Sequence, residues 1–126
     1  MGETPTELLY EDGIFAVFRD IKPATQHHYL VIPKEHITNA KQLNGEQHLN
    51  LITQMHTIGL NVLEKQGGDK ATVLCGYHWP PFTLISHLHL HVIGKPESMG
   101  FLAKRIFSKD SFWFVSQEWM VNHLKP

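Results

Sequence analysis

The chain has 126 residues, with 11 Lys and Arg against 12 Asp and Glu, a formal charge of −1, and a 42% hydrophobic to 18% charged balance. That length and balance suit one folded domain with its own core, and the near-neutral charge excludes nucleic-acid binding driven by bulk charge. No apolar run approaches the ~18 residues of a membrane span, and the single Cys75 excludes an internal disulfide or a cysteine-built zinc site. The expectation is a soluble cytoplasmic or nuclear domain over residues 1–126. The 10 His stand out and point to chemistry near neutral pH or to metal.

Met1-Gly2 with Thr6 fits the bare pattern for N-myristoylation, but Glu3 and Pro5 are poor fillers and lipidation is not expected. Leu8–Tyr10 and Ile14–Phe18 read as two strands around the Asp12-Gly13 turn. His28–Ile32 is a third strand, stopped by Pro33. Asn44 offers an N-cap, with Gln47 as its capping-box partner. Leu49, Ile52, Met55, Gly59, Val62 and Leu63 then recur at helical spacing until Gly67-Gly68. Ala71–Cys75 reads as a fourth strand, Gly76–Phe82 as a Pro-rich loop, and Ile85–Ile93 as a fifth strand closed by Gly94 and Pro96. The extension over 98–126 holds the basic residues Lys104, Arg105 and Lys109, read as a solvated segment. It also holds the aromatic run Phe112–Phe114 and a short helix Ser116–Leu124 capped by Ser116. The order implies an α+β fold: about five antiparallel strands, one long helix and a short C-terminal helix.

His87-Leu88-His89-Leu90-His91-Val92-Ile93 is the most informative stretch. On a strand, alternation puts His87, His89 and His91 on one face, about 7 Å apart, and Leu88, Leu90 and Val92 on the core face. Neighbouring imidazoles disfavour one another's protonation, which keeps members neutral, as a nucleophile or metal ligand must be. Three readings stand side by side: a solvated strand face, a zinc site, and nucleophilic catalysis on phosphorus. Against zinc, no Asp or Glu lies within five residues of any of the three histidines.

The run resembles the His-φ-His-φ-His-φ-φ signature (φ apolar) of the histidine-triad superfamily of nucleotide hydrolases and transferases. Phe18-Arg19-Asp20-Ile21-Lys22-Pro23 leading into His28-Tyr29-Leu30-Val31-Ile32-Pro33-Lys34-Glu35-His36 is similar to its Hint branch. Gly76-Tyr77-His78, Ser86–His91 and the tail are similar to its aprataxin side. The resemblance implies the superfamily's fold and a nucleoside phosphoramidate or acyl-nucleotide hydrolase acting on a purine nucleotide of the AMP type. It implies that His89 attacks the α-phosphorus through Nε2, its Nδ1–H held by a backbone carbonyl. His91 and His28 would bind phosphate oxygens, and one of them would help protonate the leaving amine. His87 would orient its neighbour, Asp20 would take the ribose hydroxyls, and Phe18, Ile21 and Leu30 would wall the base. No metal or other cofactor is implied.

A homodimer is implied, with the Asn44–Gln66 helix as candidate interface, and neither a membrane nor a nucleic-acid partner is expected. AMP removal from adenylylated DNA ends and a non-catalytic nucleotide-binding module are the alternatives. His27 is expected to point to the opposite strand face, at the surface. His36, His48, His56 and His123 are expected on surfaces or helix faces, and His78 has no assigned role. Two departures from the family pattern bear on rate. Leu84 stands where a hydroxyl is expected, with Thr83 facing away, and Gly76 stands where a pocket Asn is expected.

Overall fold

The structure, a computed structural model, describes residues 7–83, 85–109 and 111–125. The lipidation pattern at Met1, Gly2 and Thr6, and Leu84, lie outside the described residues. The strands are β1 Leu8–Glu11, β2 Phe15–Arg19, β3 His27–Pro33, β4 Val73–His78, β5 Leu90–Gly94 and β6 Phe114–Ser116; the helices are α1 Gly45–Lys65, α2 Phe101–Ile106 and α3 Gln117–Leu124. All six strands form one antiparallel sheet in the order β1-β2-β3-β5-β4-β6. The α+β expectation holds, with one strand more than expected. No helix among the described residues is long and apolar enough to cross a membrane.

Paired residues share a sheet face, so register sorts the two sides. Val17, Tyr29, Val31, Leu90, Val92, Cys75 and Tyr77 fall on one side and form the buried core with Ile52, Met55, Val62 and Leu63 of α1 and Met120 and Leu124 of α3. Gly59 is the point of closest approach: a Cβ there would lie 2.7 Å from Val92 Cγ2 and 3.0 Å from Val31 Cγ2. α3 is latched by Gln117, which accepts from Tyr77 Oη–H at 2.7 Å and donates to the Ile52 carbonyl at 3.0 Å. The outward positions of α1, including Glu46, Gln47, Asn50, Thr53, Gln54 and Asn61, are exposed and polar.

Four expectations need correction. β4 runs through Gly76-Tyr77-His78 because β6, from the distant tail, pairs with it: Gly76 opposite Ser116 and His78 opposite Phe114. β5 begins at Leu90, not Ile85. Its pairing with β3 stops at Val31↔Leu90, and upstream Leu88 N–H turns instead to the Ile37 carbonyl at 2.6 Å. Asn44 makes no side-chain cap; its own N–H donates to His48 Nδ1 at 2.9 Å. The basic pair Lys104-Arg105 belongs to a two-turn helix, α2, which the sequence reading lacked. Ser116 does cap α3, accepting from Trp119 N–H at 3.1 Å.

Candidate active site

The sheet face away from α1 gathers the imidazoles. On β3 it carries His28 and Leu30, on β5 His91, on β4 Gly76 and His78, and on β6 Phe114. His28 is 1% and His91 5% exposed. The ring centroids of His28 and His91 are 5.2 Å apart, those of His89 and His91 4.9 Å, and those of His78 and His91 5.0 Å. Phe107, just past α2, packs on His28, His78 and His91 at 5.0–5.3 Å between centroids.

Hydrogen bonds from the backbone fix which nitrogen of each ring holds its proton. Ala24 N–H donates to His28 Nδ1 at 2.9 Å. Nδ1 is therefore the bare nitrogen of neutral His28, and the proton is on Nε2. That nitrogen lies 2.9 Å from His91 Nδ1 and donates to it. His91 Nδ1 is then an acceptor, which leaves the His91 proton on Nε2. His91 Nε2 is buried and has no partner among the described residues. A buried donor left so costs about 1–3 kcal/mol, a debt that a ligand oxygen would cancel.

The logic at His89 is opposite in outcome. Its Nδ1 lies 2.8 Å from the His87 carbonyl oxygen. A carbonyl can only accept, so the His89 proton is on Nδ1 and Nε2 is the bare nitrogen, the form a nucleophile requires. The expectation that a backbone carbonyl would hold this proton is met, by His87. The His87 ring itself leaves the row. Because β5 starts late, the ring turns to donate Nε2–H to the Pro33 carbonyl at 2.8 Å, with His36 5.3 Å away. The shared face of three rings at strand spacing therefore reduces to the adjacent pair His89 and His91. The same irregular path brings Thr83 to a cavity of about 10 Å³ that His78, His87 and His89 also line, rather than facing it away.

Electrostatics keeps the cluster neutral. Burial pushes His28 down to about 4, against the pull of the Asp20 carboxylate, with His78 and His89 lowering it further. His91 lies well below the ordinary imidazole value, through burial and then its neighbours His89, His28 and His78. Burial also lowers His89, partly offset by the His87 carbonyl, and lowers His78. Cys75, on the core side, is pushed up by burial to about 12 and is no nucleophile.

Asp20 holds the bend after β2, accepting from Lys22 N–H at 2.8 Å through Oδ1, while Oδ2 lies 3.3 Å from His28 Nε2. Phe18 and Leu30 are half-buried in register beside His91, whereas Ile21 is 54% exposed on the bend. Asp20, His28 and His91 bring one ligand atom each to within 4.8 Å of one another, the geometry of a cation site. The His28–His91 hydrogen bond already uses two of those atoms, so a cation would have to displace that proton. His27 lies on the other face, as expected, but is half-buried and bonded to Tyr29 Oη at 2.7 Å. Among the other imidazoles, His36 is exposed, His56 is half-buried on α1 and His123 stacks on Trp119 at 4.7 Å.

Gly76 now has a physical reason. A Cβ there would collide with the Val115 carbonyl oxygen and lie 2.7 Å from two atoms of the Phe114 ring. The space of a pocket side chain at 76 is taken by β6. Phe107, Phe114 and His78 are the site residues that sequence reasoning missed, and only the Phe112–Phe114 aromatic run hinted at a covering element.

Imidazoles in preset tautomers on one face of an antiparallel sheet, with a long helix on the other, define a nucleotide-handling histidine-triad domain. The family model described as "Scavenger mRNA decapping enzyme C-term binding" matches residues 1–107, and the chain belongs to that family, within the histidine-triad superfamily. It is 40% identical over 124 residues to the Xenopus tropicalis adenosine 5'-monophosphoramidase HINT3, covering 98% of this chain and 80% of the relative. It is 42% identical to the Arabidopsis thaliana bifunctional adenosine 5'-phosphosulfate phosphorylase/adenylylsulfatase HINT4, covering 98% of this chain and 85% of the relative. Chicken aprataxin is 32% identical over 74% of this chain and 29% of its own length. A solved HIT family hydrolase from Clostridium thermocellum superposes with a TM-score of 0.65 at 32% identity, covering 73% of this chain and 81% of that one.

Proposed function

We infer that the chain hydrolyses adenosine 5'-phosphoramidates and related AMP adducts by nucleotidyl transfer through His89. The observation that carries this is the pair of preset nitrogens: a bare His89 Nε2 beside a buried His91 Nε2–H that has no partner among the described residues. In the first step the His89 Nε2 lone pair forms a bond to the α-phosphorus, and the phosphorus–nitrogen bond breaks with its electron pair going to the amine. His91 Nε2–H donates to a non-bridging phosphate oxygen, where charge builds up. The amine takes a proton from His91 Nε2–H as it leaves, and the water that attacks in the next step returns a proton to that nitrogen. Water then attacks the nucleotidyl-His89, restoring the bare nitrogen and releasing AMP. Phe18 and Leu30 wall the base, Asp20 receives the ribose hydroxyls, and Ile21 closes the exposed edge. His87 acts through its carbonyl. The chemistry needs no metal, because imidazole N–H groups meet the developing charge.

Intact mass after brief incubation with an AMP–amine compound tests the reading. A transient AMP adduct with AMP release, both lost in His89→Asn, is the expected result. Binding of AMP without turnover in either protein would leave a nucleotide-binding module instead. The aprataxin similarity supports the DNA-end reading only as that of a related branch. Tight, strongly salt-dependent binding to nicked adenylylated DNA would be its signature. The homodimer that the family resemblance implies extends the proposal to paired copies in solution, with α1 as the candidate interface, read by light scattering.

A further inference from the structure

We propose that Phe107 is a specificity gate over the phosphate subsite, opened when an apolar leaving group fills the groove beside α2. The proposal rests on the nucleotidyl-transfer reading above. Its starting point is that the donor prepared for a phosphate oxygen is closed off. His91 Nε2 is buried without a partner among the described residues, and Phe107 packs on the ring with centroids 5.0 Å apart, as it also packs on His28 and His78. With its ring on that imidazole, Phe107 is the side chain the proposal assigns as the barrier between a phosphate and the N–H.

The element carrying Phe107 is built to move. No residue of α2 is buried, and Phe101 and Leu102 are 79% and 69% exposed. α2 starts at Gly100, where even an added Cβ would meet nothing within 4 Å. Among the described residues, one hydrogen bond ties its end to β6's approach, Trp113 Nε1–H to the Arg105 carbonyl at 2.8 Å. A short, exposed helix with so few ties opens at low cost.

Beside it lies a groove of about 530 Å³ lined by His78, Pro81, Phe82, Arg105, Ile106 and Trp113. It meets the small cavity of His89 at His78 and Thr83, and the proposal seats the leaving group there. Apart from Thr83 and Arg105 its walls are aromatic and aliphatic, which suits an apolar body rather than a bare ammonia. Ile106 is the chain neighbour of Phe107, and His78 packs against it at 5.2 Å. A ring seated in the groove therefore presses on both sides of the gate, whereas a small leaving group touches neither.

The test compares wild type, Phe107→Ala and Phe107→Leu, with melting curves to verify that each folds. The probes are AMP, adenosine 5'-phosphoramidate, whose leaving group is ammonia, and the phenethylamine phosphoramidate of AMP. A gate open about one-tenth of the time predicts that Phe107→Ala binds AMP about tenfold more tightly. It also predicts that kcat/KM for the ammonia compound rises toward that for the phenethylamine compound, which wild type prefers by about tenfold. Phe107→Leu, keeping part of the plug, should fall between. Amide exchange at Lys104 and Phe107 should quicken when His89→Asn binds the phenethylamine compound. Weaker AMP binding in Phe107→Ala, or an unchanged preference, would overturn the gate and leave Phe107 as packing for the imidazoles. Failure of wild type and both variants to bind AMP or cleave either compound would sink the nucleotidyl reading itself, and the gate with it.

Discussion

Acid should unfold this protein earlier than its carboxylates alone would dictate, and His28 sets the size of the effect. In the folded chain burial holds His28 at about 4, against 6.5 for a free imidazole. As pH falls, the unfolded chain takes its proton first. The stability contributed by the neutral ring is complete above 6.5 and is lost progressively between 6.5 and 4. Linkage converts the shift to about 2 kcal/mol lost by pH 5 and about 3 kcal/mol once both states are protonated. His91, His89 and His78 are shifted the same way and add to that loss. Asp12, held below its ordinary value by Tyr10 and the amides of Ile14 and Phe15, titrates below this window and does not interfere. Urea unfolding at pH 7.5 and pH 5, followed by tryptophan fluorescence, should therefore show a loss of at least about 2 kcal/mol. His28→Gln should be less stable at pH 7.5, because Ala24 N–H and His91 Nδ1 lose their partner, yet its loss on acidification should be smaller by about 2 kcal/mol. Equal losses in the two proteins, or a wild type as stable at pH 5 as at pH 7.5, would refute the claim that these rings are buried neutral.

The same depression appears in catalysis. The reactive form of His89 is neutral, so activity is full at high pH and its acid limb should have a midpoint below 6.5 in a kcat/KM profile; a midpoint at or above 6.5 would contradict the site's electrostatics. EDTA should leave turnover unchanged, and added zinc should inhibit it by displacing the His28–His91 proton at the Asp20-His28-His91 trio. Loss of activity with chelator would overturn the metal-free mechanism. Gly76→Ala should lower stability by about 1–3 kcal/mol by forcing β6 off β4, read as a fall in the urea midpoint; a neutral effect would mean that the tail strand yields freely.

Local signals of period and composition revealed the long helix and the histidine strand, whereas His28 was assigned by the resemblance to the Hint branch. Ile52, Met55, Gly59 and Val62 repeat at helical spacing over a 21-residue helix, long enough for the pattern to outweigh noise. That His89 and His91 share a face was legible from alternation; the roles of His28, His89 and His91 came from the resemblance. What failed depended on partners far away in sequence. Gly76–His78 read as loop because Pro80 and Pro81 follow, yet the strand is extended by a three-residue partner at 114–116 too short to show any period. Alternation from Ile85 to Ile93 suggested one strand, but alternation says nothing about whether a neighbouring strand is there to pair with. Beyond Val31↔Leu90 there is none, and the chain turns away. That turn rotated His87 out of the row and brought Thr83 in. Phe107 carried no signal, since a lone aromatic after a basic pair is ordinary on any surface.

The division between what motif and fold contribute goes further. The motif supplies rings, but a ring is useful here only with its proton on the right nitrogen, and the motif does not encode that. His89 is bare at Nε2 because the His87 carbonyl takes Nδ1–H, and that carbonyl is in reach because residues 85–89 are not a regular strand. His91 carries its proton at Nε2 because His28 occupies Nδ1, and His28 can do so because the bend at Ala24 aims an amide at its other nitrogen. These assignments depend on main-chain atoms and on His28. They survive replacement of the Ala24 side chain but not a change of backbone path. The irregular segments before β3 and β5, where the sequence reading was weakest or wrong, are therefore the parts of the fold that turn a row of histidines into one nucleophile and one donor.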